Sequence, residues 1–314
     1  MEYEILGKSD LNVTKIGLGA WQFGTEWWGW GKDFGEKDAI EAIEVSLEKG
    51  INWIDTAEVY GNGFSEELLG KVLGKRRKNL IIATKVAGTH ARYDDVIKAC
   101  EGSLKRLKTD YIDLYQFHWP NSYVPVEETM TALEKLVEDG KVRYIGLSNF
   151  PVPLIKEAQK SLKNTFIVSN QVRYNLISRD IEKKILPYCM EQNISVIAYS
   201  PIAQGLLAGK FSHDNKPSDD LRKDHPLFKE PNFTQILNFV EVLKKFAQSL
   251  GKTPAQVALR WLIEKNGVVA IPGAKNKKQA EDNAGAMGWK LDENIIKKLD
   301  QESKNLKITY ITDN

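Results

Sequence analysis

The 314-residue chain is poor in cysteine and histidine, with two of the former and four of the latter. Cys100 and Cys189 fall in separate expected helices, so they read as reduced, buried, inert thiols, and the cytoplasm is the expected compartment. His90, His118, His213 and His225 show neither an H-x-x-x-H nor a Cys/His spacing, so no metal is expected. Excess charge of one sign is also missing. The formal net charge is +2, which gives no global field for nucleic acid, and no such partner is expected. No window approaches the roughly 18 apolar residues of a membrane span, and Met1-Glu2-Tyr3-Glu4 lacks the basic-then-apolar order of a signal peptide. No Gly-x-Gly-x-x-Gly follows an apolar strand, which argues against a doubly wound dinucleotide-binding sheet. No composition shift marks a boundary, so residues 1–314 are read as one domain.

What is present is a repeat of type. After two short strands at 3–6 and 12–15, joined by Gly7-Lys8-Ser9-Asp10, apolar strands alternate with segments of helical spacing. Strands are expected at 16–19, 51–54, 80–84, 112–117, 142–147, 166–169, 194–198 and 268–271. Helices are expected at 37–49, 65–73, 94–107, 126–139, 153–161, 180–191, within 233–264 and at 277–286, with an extra one at 293–302. Eight strand–helix units in about 270 residues fit a (β/α)8 barrel, a fold of about 250 residues. The stretch 200–232 is too long for an ordinary connection and reads as a functional loop.

In such a barrel the C-terminal strand ends share one rim, where the chemistry sits. Here those ends carry Asp55, Lys85, Gln116-Phe117-His118-Trp119, Ser148-Asn149, Asn170-Gln171, Tyr199-Ser200-Pro201 and Pro272-Gly273, with Tyr60 five residues beyond Asp55. Each has an ordinary structural explanation alone, such as a helix cap for Asp55 or a packed aromatic for Tyr60. Their convergence is chemically coherent. A free phenol ionises at about pH 10, and an ammonium such as Lys85 favours its phenolate, with Asp55 orienting the lysine. His118 can donate a hydrogen bond to a developing oxyanion. A proton donor beside an oxyanion donor suits carbonyl reduction, whose hydride must come from a cofactor.

Asp55-Thr56-Ala57 with Tyr60-Gly61, Lys85 after an apolar strand, Gln116-Phe117-His118, Gly146-Leu147-Ser148-Asn149-Phe150 and Ala198-Tyr199-Ser200-Pro201 together resemble the aldo-keto reductases. The resemblance runs from Gly17-Leu18-Gly19-Ala20-Trp21 to Ile271-Pro272-Gly273 and Asn283. It implies a (β/α)8 barrel whose initial hairpin covers the bottom, and an NADPH-dependent carbonyl reductase. Its catalytic four fall on Asp55, Tyr60, Lys85 and His118, with Tyr60 as proton donor. Ala20, Trp21 and Asp55 would border the cofactor, Ser148, Asn149 and Gln171 would hold the nicotinamide carboxamide, and Tyr199 would stack on the ring. Ser200, Pro201, Ile202, Gln204 and Gly205 would follow the pyrophosphate, clamped by Lys210 and Arg222. Gly273, Lys275, Gln279, Asp282 and Asn283 would surround the adenosine end. That end departs from the best-known animal reductases, which carry Lys-Ser at Gly273-Ala274 and arginine at Gln279. It is similar to the branch of bacterial reductases and potassium-channel beta subunits, with Asp282 where glutamate is usual. Lys275 then becomes the partner of the 2′-phosphate.

Trp21, Trp27, Trp28 and Trp119, joined by Trp30 in the run Gly24–Gly31, are expected to wall a pocket for a small carbonyl substrate. A surface loop pinned by its own aromatics is the plainer reading of that run. The assembly is expected to be a monomer or weak homo-oligomer. Two other classes use the same residues: a cofactor-binding regulatory subunit with little turnover, and a Schiff-base barrel acting through Lys85.

Overall fold

The computed structural model describes residues 1–217 and 219–309. A hairpin of β1 (Tyr3–Ile5) and β2 (Asn12–Thr14) precedes the barrel, pairing Glu4 with Val13. The eight parallel strands follow in chain order: β3 (Leu18–Gly19), β4 (Trp53–Asp55), β5 (Ile81–Val86), β6 (Ile112–Phe117), β7 (Val142–Ser148), β8 (Ile167–Arg173), β9 (Ser195–Tyr199) and β10 (Val268–Ala270). The first and last strands meet. Gly17 N–H donates to the Ala270 carbonyl at 2.8 Å and Ala270 N–H to the Lys15 carbonyl at 2.9 Å, which closes the sheet into a (β/α)8 barrel.

The helices pack their apolar stripes on the outside of the barrel. In the helix Tyr93–Leu107, Val96, Ala99, Cys100, Ser103 and Leu107 form the buried face. The helix Pro254–Ile263 starts where Thr253 and Gln256 cap each other reciprocally, with Pro254 at the first helical position. Both cysteines are buried and unpaired, and burial pushes each thiol up to about 12. Such thiols carry almost no reactive thiolate at neutral pH. No helix among the described residues is long and apolar enough to cross a membrane, and no cluster of His, Cys, Asp or Glu among them is suited to a metal.

The hairpin plugs the bottom. Leu6, Leu11 and Val13 pack with Trp53, Ala83, Leu114, Val168, Ile197 and Val269, the apolar residues lining the barrel interior. Trp53 Nε1 donates to the Thr14 carbonyl at 2.8 Å, so the largest interior side chain also satisfies the hairpin backbone. With the bottom filled by apolar groups, the polar residues of the same strands collect at the opposite end.

Two elements differ from the sequence expectation. The helix expected over 180–191 is a 3-10 turn, Asp180–Lys183, followed by a helix at Ile185–Gln192, with Lys184 out of helical geometry between them. Pro187 explains the break, because inside one continuous helix it would lack an N–H and crowd the carbonyl four residues earlier. β8 runs on to Arg173, beyond the apolar segment, because Ser169 to Arg173 pair with β9; Gln171 faces the polar end of the barrel, and the Asn170 amide bonds the Phe150 backbone.

Candidate active site

Asp55 ends β4 and is 1% exposed; Lys85 lies one strand over on β5 and is fully buried. The strand ladder sets their side chains on the same inner face. Lys85 Nζ donates to Asp55 Oδ1 at 2.5 Å, to the Thr56 carbonyl at 2.7 Å and to Tyr60 Oη at 3.2 Å. All three ammonium protons are thereby used. Tyr60 Oη accepts from the lysine, which leaves its own O–H to be given away.

Tyr60 is held there by a 3-10 turn in which Gly61 has φ +56 and lies so close to Gly24 that a Cβ would fall 2.8 Å from that backbone. Glycine suits both demands. Glu58 buttresses the same loop, accepting from Ala87 N–H at 2.6 Å and sharing a 2.9 Å contact with His90 Nδ1.

The electrostatics differ from the sequence reading in one respect. Burial raises the Tyr60 hydroxyl above its ordinary value, and the opposing pull of Lys85 is not enough to reverse it. The phenol is therefore protonated at neutral pH, the form a proton donor needs. Burial pulls Lys85 down, but the Asp55 charge, joined by Tyr60, holds it above the ordinary lysine range. An ammonium so held is a poor Schiff-base nucleophile.

His118 follows β6, with its ring 5.8 Å from that of Tyr60 and nearly perpendicular at 77°. Burial, then the charge of Lys85, lowers it to about 3, so the ring is neutral at physiological pH and donates from one nitrogen. A histidine depressed in the folded state contributes stability above its unfolded value near pH 6.5, which is lost as pH falls toward 3. Melting temperature should therefore drop with acidification through that window, and His118→Gln should show a shallower drop; an identical slope would remove His118 as its source.

Deeper in the barrel, Asp55 Oδ2 accepts from Gln116 Nε2 at 2.9 Å and from Gln171 Nε2 at 2.8 Å. The sequence reading quoted Gln116 in a motif but gave it no role. The signal was a glutamine two residues before His118 in an apolar strand, on the same inward-facing side. Ser148 is 1% exposed at the end of β7. Asn149 takes a positive φ of 63, which asparagine tolerates. Its Nδ2 reaches the His118 carbonyl at 3.1 Å and Ser148 Oγ at 3.0 Å, and its Oδ1 accepts from Tyr199 Oη at 3.0 Å. Ser148, Asn149, Gln171 and Tyr199 thus form one side of the site.

The loop after β9 carries Ser200, Pro201 and Ile202 into a kinked turn, where Gln204 (φ 55) and Gly205 (φ 93) are left-handed. Arg222 Nη1 donates to the Gln204 carbonyl at 3.2 Å, and its Nε bonds Asp219 at 2.7 Å. Lys210, Arg222 and Lys275 lie within electrostatic reach of one another. Burial, then repulsion from Arg222, depresses Lys275 to about 8. Asp219 and, more weakly, Asp33 are the acids that oppose it. At Gly205 a Cβ would sit 3.6 Å from both Arg222 and Lys210, so the loop backbone comes close to the cations. This set of cations beside the loop backbone fits a phosphate-bearing group.

Next to Lys275, Gln279 Oε1 accepts from Lys275 N–H at 2.9 Å, and Asn276 caps the helix Lys277–Ala284 through Gln279 N–H at 3.0 Å. Asn283 Nδ2 ties the Gly273 carbonyl at 3.1 Å, whereas Asp282 accepts from Thr253 Oγ1 at 2.8 Å and so joins its own helix to the start of the helix Pro254–Ile263.

The tryptophans divide. Trp21 lies 6.4 Å from Tyr60, and Trp119 6.4 Å from His118, half exposed on the mouth. Trp27 is 65% exposed. Trp28 is buried and spans both regions: it meets Trp21 edge-on at 5.2 Å, while Arg222 and Lys275 each stand 5.4 Å over its indole. Lys275 Nζ also donates to the Trp28 carbonyl. Trp30 packs on Phe34 and Phe64, pinning its own loop. Ala20 is fully buried beside this group and donates its N–H to the Asp55 carbonyl at 2.9 Å.

The model of the Aldo/keto reductase family matches residues 15–304. The chain is 38% identical over 305 residues to the aldo-keto reductase YhdN of Bacillus subtilis, covering 93% of this chain and 90% of that one. Among solved structures it is similar to the glycerol dehydrogenase AKR11B4 from Gluconobacter oxydans, with a TM-score of 0.88 and 32% identity over 100% of this chain and 98% of that one. An aldo/keto reductase from Klebsiella pneumoniae, crystallised with NADP and acetate, matches with a TM-score of 0.75 and 31% identity over 96% and 95% of the two chains.

Proposed function

The chain belongs to the aldo/keto reductase family, and on that premise we propose that it reduces small aldehydes and ketones to alcohols with NADPH, using Tyr60 as the proton donor. The observation that carries the proposal is the buried Asp55–Lys85–Tyr60 chain, with its ammonium fully committed and its phenol proton unspent. The solved relative with bound NADP supports the choice of cofactor.

Lys210, Arg222 and Lys275 would hold the phosphates, Ser148, Asn149 and Gln171 the carboxamide, and Tyr199 the ring. Bound there, NADPH supplies the hydride. The substrate oxygen is received between the Tyr60 hydroxyl and the neutral His118 ring, which stand at right angles to one another. As charge builds on that oxygen, His118 donates a hydrogen bond and Tyr60 gives up its proton. The phenolate left behind is stabilised by Lys85, whose own charge Asp55 balances. Trp21 and Trp119 flank the oxygen site and shape an apolar mouth for the rest of the substrate.

Steady oxidation of NADPH by a panel of aldehydes tests this reading. Tight NADPH binding without turnover on any member would favour the regulatory-subunit alternative. The 2′-phosphate assignment has its own check: Lys275→Ala should weaken NADPH about tenfold, the scale of one charge-assisted bond, and spare NADH. Equal losses for both cofactors would remove Lys275 from that role.

A further inference from the structure

Gln116 is a fully buried polar side chain that the chemistry above leaves without a role. Its partners define one. Ionised Asp55 only accepts hydrogen bonds, so both amides that reach Oδ2 must present their NH2 groups to it. With that orientation set, the second hydrogen of Gln171 Nε2 goes to Gln116 Oε1, at 3.1 Å. Both donors of Gln171 are thereby spent inside the protein, and what it retains for a ligand is its acceptor oxygen.

We propose that Gln116 is a positioning residue: it locks the Gln171 amide with its carbonyl oxygen toward the cofactor's carboxamide NH2, and joins that seat to Asp55 through one hydrogen-bonded strut. The strut is built into the barrel wall. At Gly146, on the neighbouring strand, a Cβ would fall 2.8 Å from Gln116 Cγ and 2.7 Å from Ser169 Oγ, so glycine is what leaves Gln116 its seat. Without Gln116 the Gln171 amide keeps only its bond to Asp55 and swings about it, so its carbonyl oxygen is no longer held in one direction.

The inference rests on the reading that Gln171 holds the carboxamide, and the test separates the two. NADP+ binding is measured by fluorescence titration for the wild type, Gln116→Met, Gln171→Met and the double variant, with thermal melting alongside. Gln116→Met is expected to weaken binding about tenfold in the wild-type background, the scale of one well-placed hydrogen bond, and to have no further effect once Gln171 is replaced. If Gln171→Met binds like the wild type, the carboxamide reading fails and takes the strut with it. If Gln171→Met is weakened but Gln116→Met is not, the strut alone is overturned. An equal loss from Gln116→Met in both backgrounds also overturns it, because that is what general loosening of the barrel produces. Should Gln116→Met fail to fold, Gln116→Leu takes its place in the same cycle, with the same expected outcomes.

Discussion

Tyr60→Phe should lower kcat for aldehyde reduction by about 10²–10⁴-fold, the usual worth of a positioned general acid, and leave NADPH affinity unchanged. The substitution removes one oxygen and keeps the ring that lies 6.4 Å from Trp21 and 5.8 Å from His118, so the mouth keeps its shape. What disappears is the proton that Lys85 leaves unspent by donating to the phenol rather than accepting from it. Because the loss is in the transition state, it falls on kcat and kcat/KM together. Stopped-flow traces of NADPH oxidation, with a separate binding titration, measure both halves. A variant within tenfold of wild type would mean that another group delivers the proton.

Lys85→Met should cost stability as well as rate. Lys85 is fully buried and Asp55 is 1% exposed, so removing the ammonium leaves a carboxylate in the barrel with only the two glutamine amides to answer it. Breaking a buried pair in this way typically costs about 3–5 kcal/mol, whereas removing both charges can be nearly neutral. Urea unfolding should therefore show a large loss for Lys85→Met and substantial recovery in the Asp55→Asn, Lys85→Met double variant. Activity should stay low in both, since neither retains a charge to stabilise the phenolate. The linkage runs the expected way for a raised lysine. The pair's contribution is complete below the unfolded value of about 10.4 and is lost only as pH rises through the higher folded value. Equal stability of the single and double variants would contradict the pairing.

Much of this architecture was legible in the sequence, for a physical reason. Parallel barrel strands are buried on both faces, so each appears as a short apolar run, and the first polar residue after it marks the rim. Asp55, Lys85 and His118 were found in this way, and the geometry places all three with Tyr60. What the pattern could not deliver was direction inside the barrel. Gln116 and Gln171 read as strand-end amides, and the folded barrel turns both onto the same carboxylate oxygen. The balance at Tyr60 was likewise hidden, because spacing reveals a nearby lysine but not the depth of burial that outweighs it. Trp28 illustrates a third gap. A run of aromatics and glycines does not encode its fold, and the indole that looked like a substrate wall also lies under Arg222 and Lys275. Pro187 broke a helix that apolar spacing alone had drawn as continuous.

The proposed reaction is hydride transfer to a carbonyl carbon with a proton supplied by the protein. It is tested most directly by incubating the wild-type enzyme with NADPH deuterated at the transferable position and an aldehyde, then reading the alcohol by mass spectrometry. One deuterium is expected on the former carbonyl carbon of each alcohol formed, matched to the NADPH consumed. Alcohol without label, or cofactor bound and never consumed across the aldehyde panel, would contradict it.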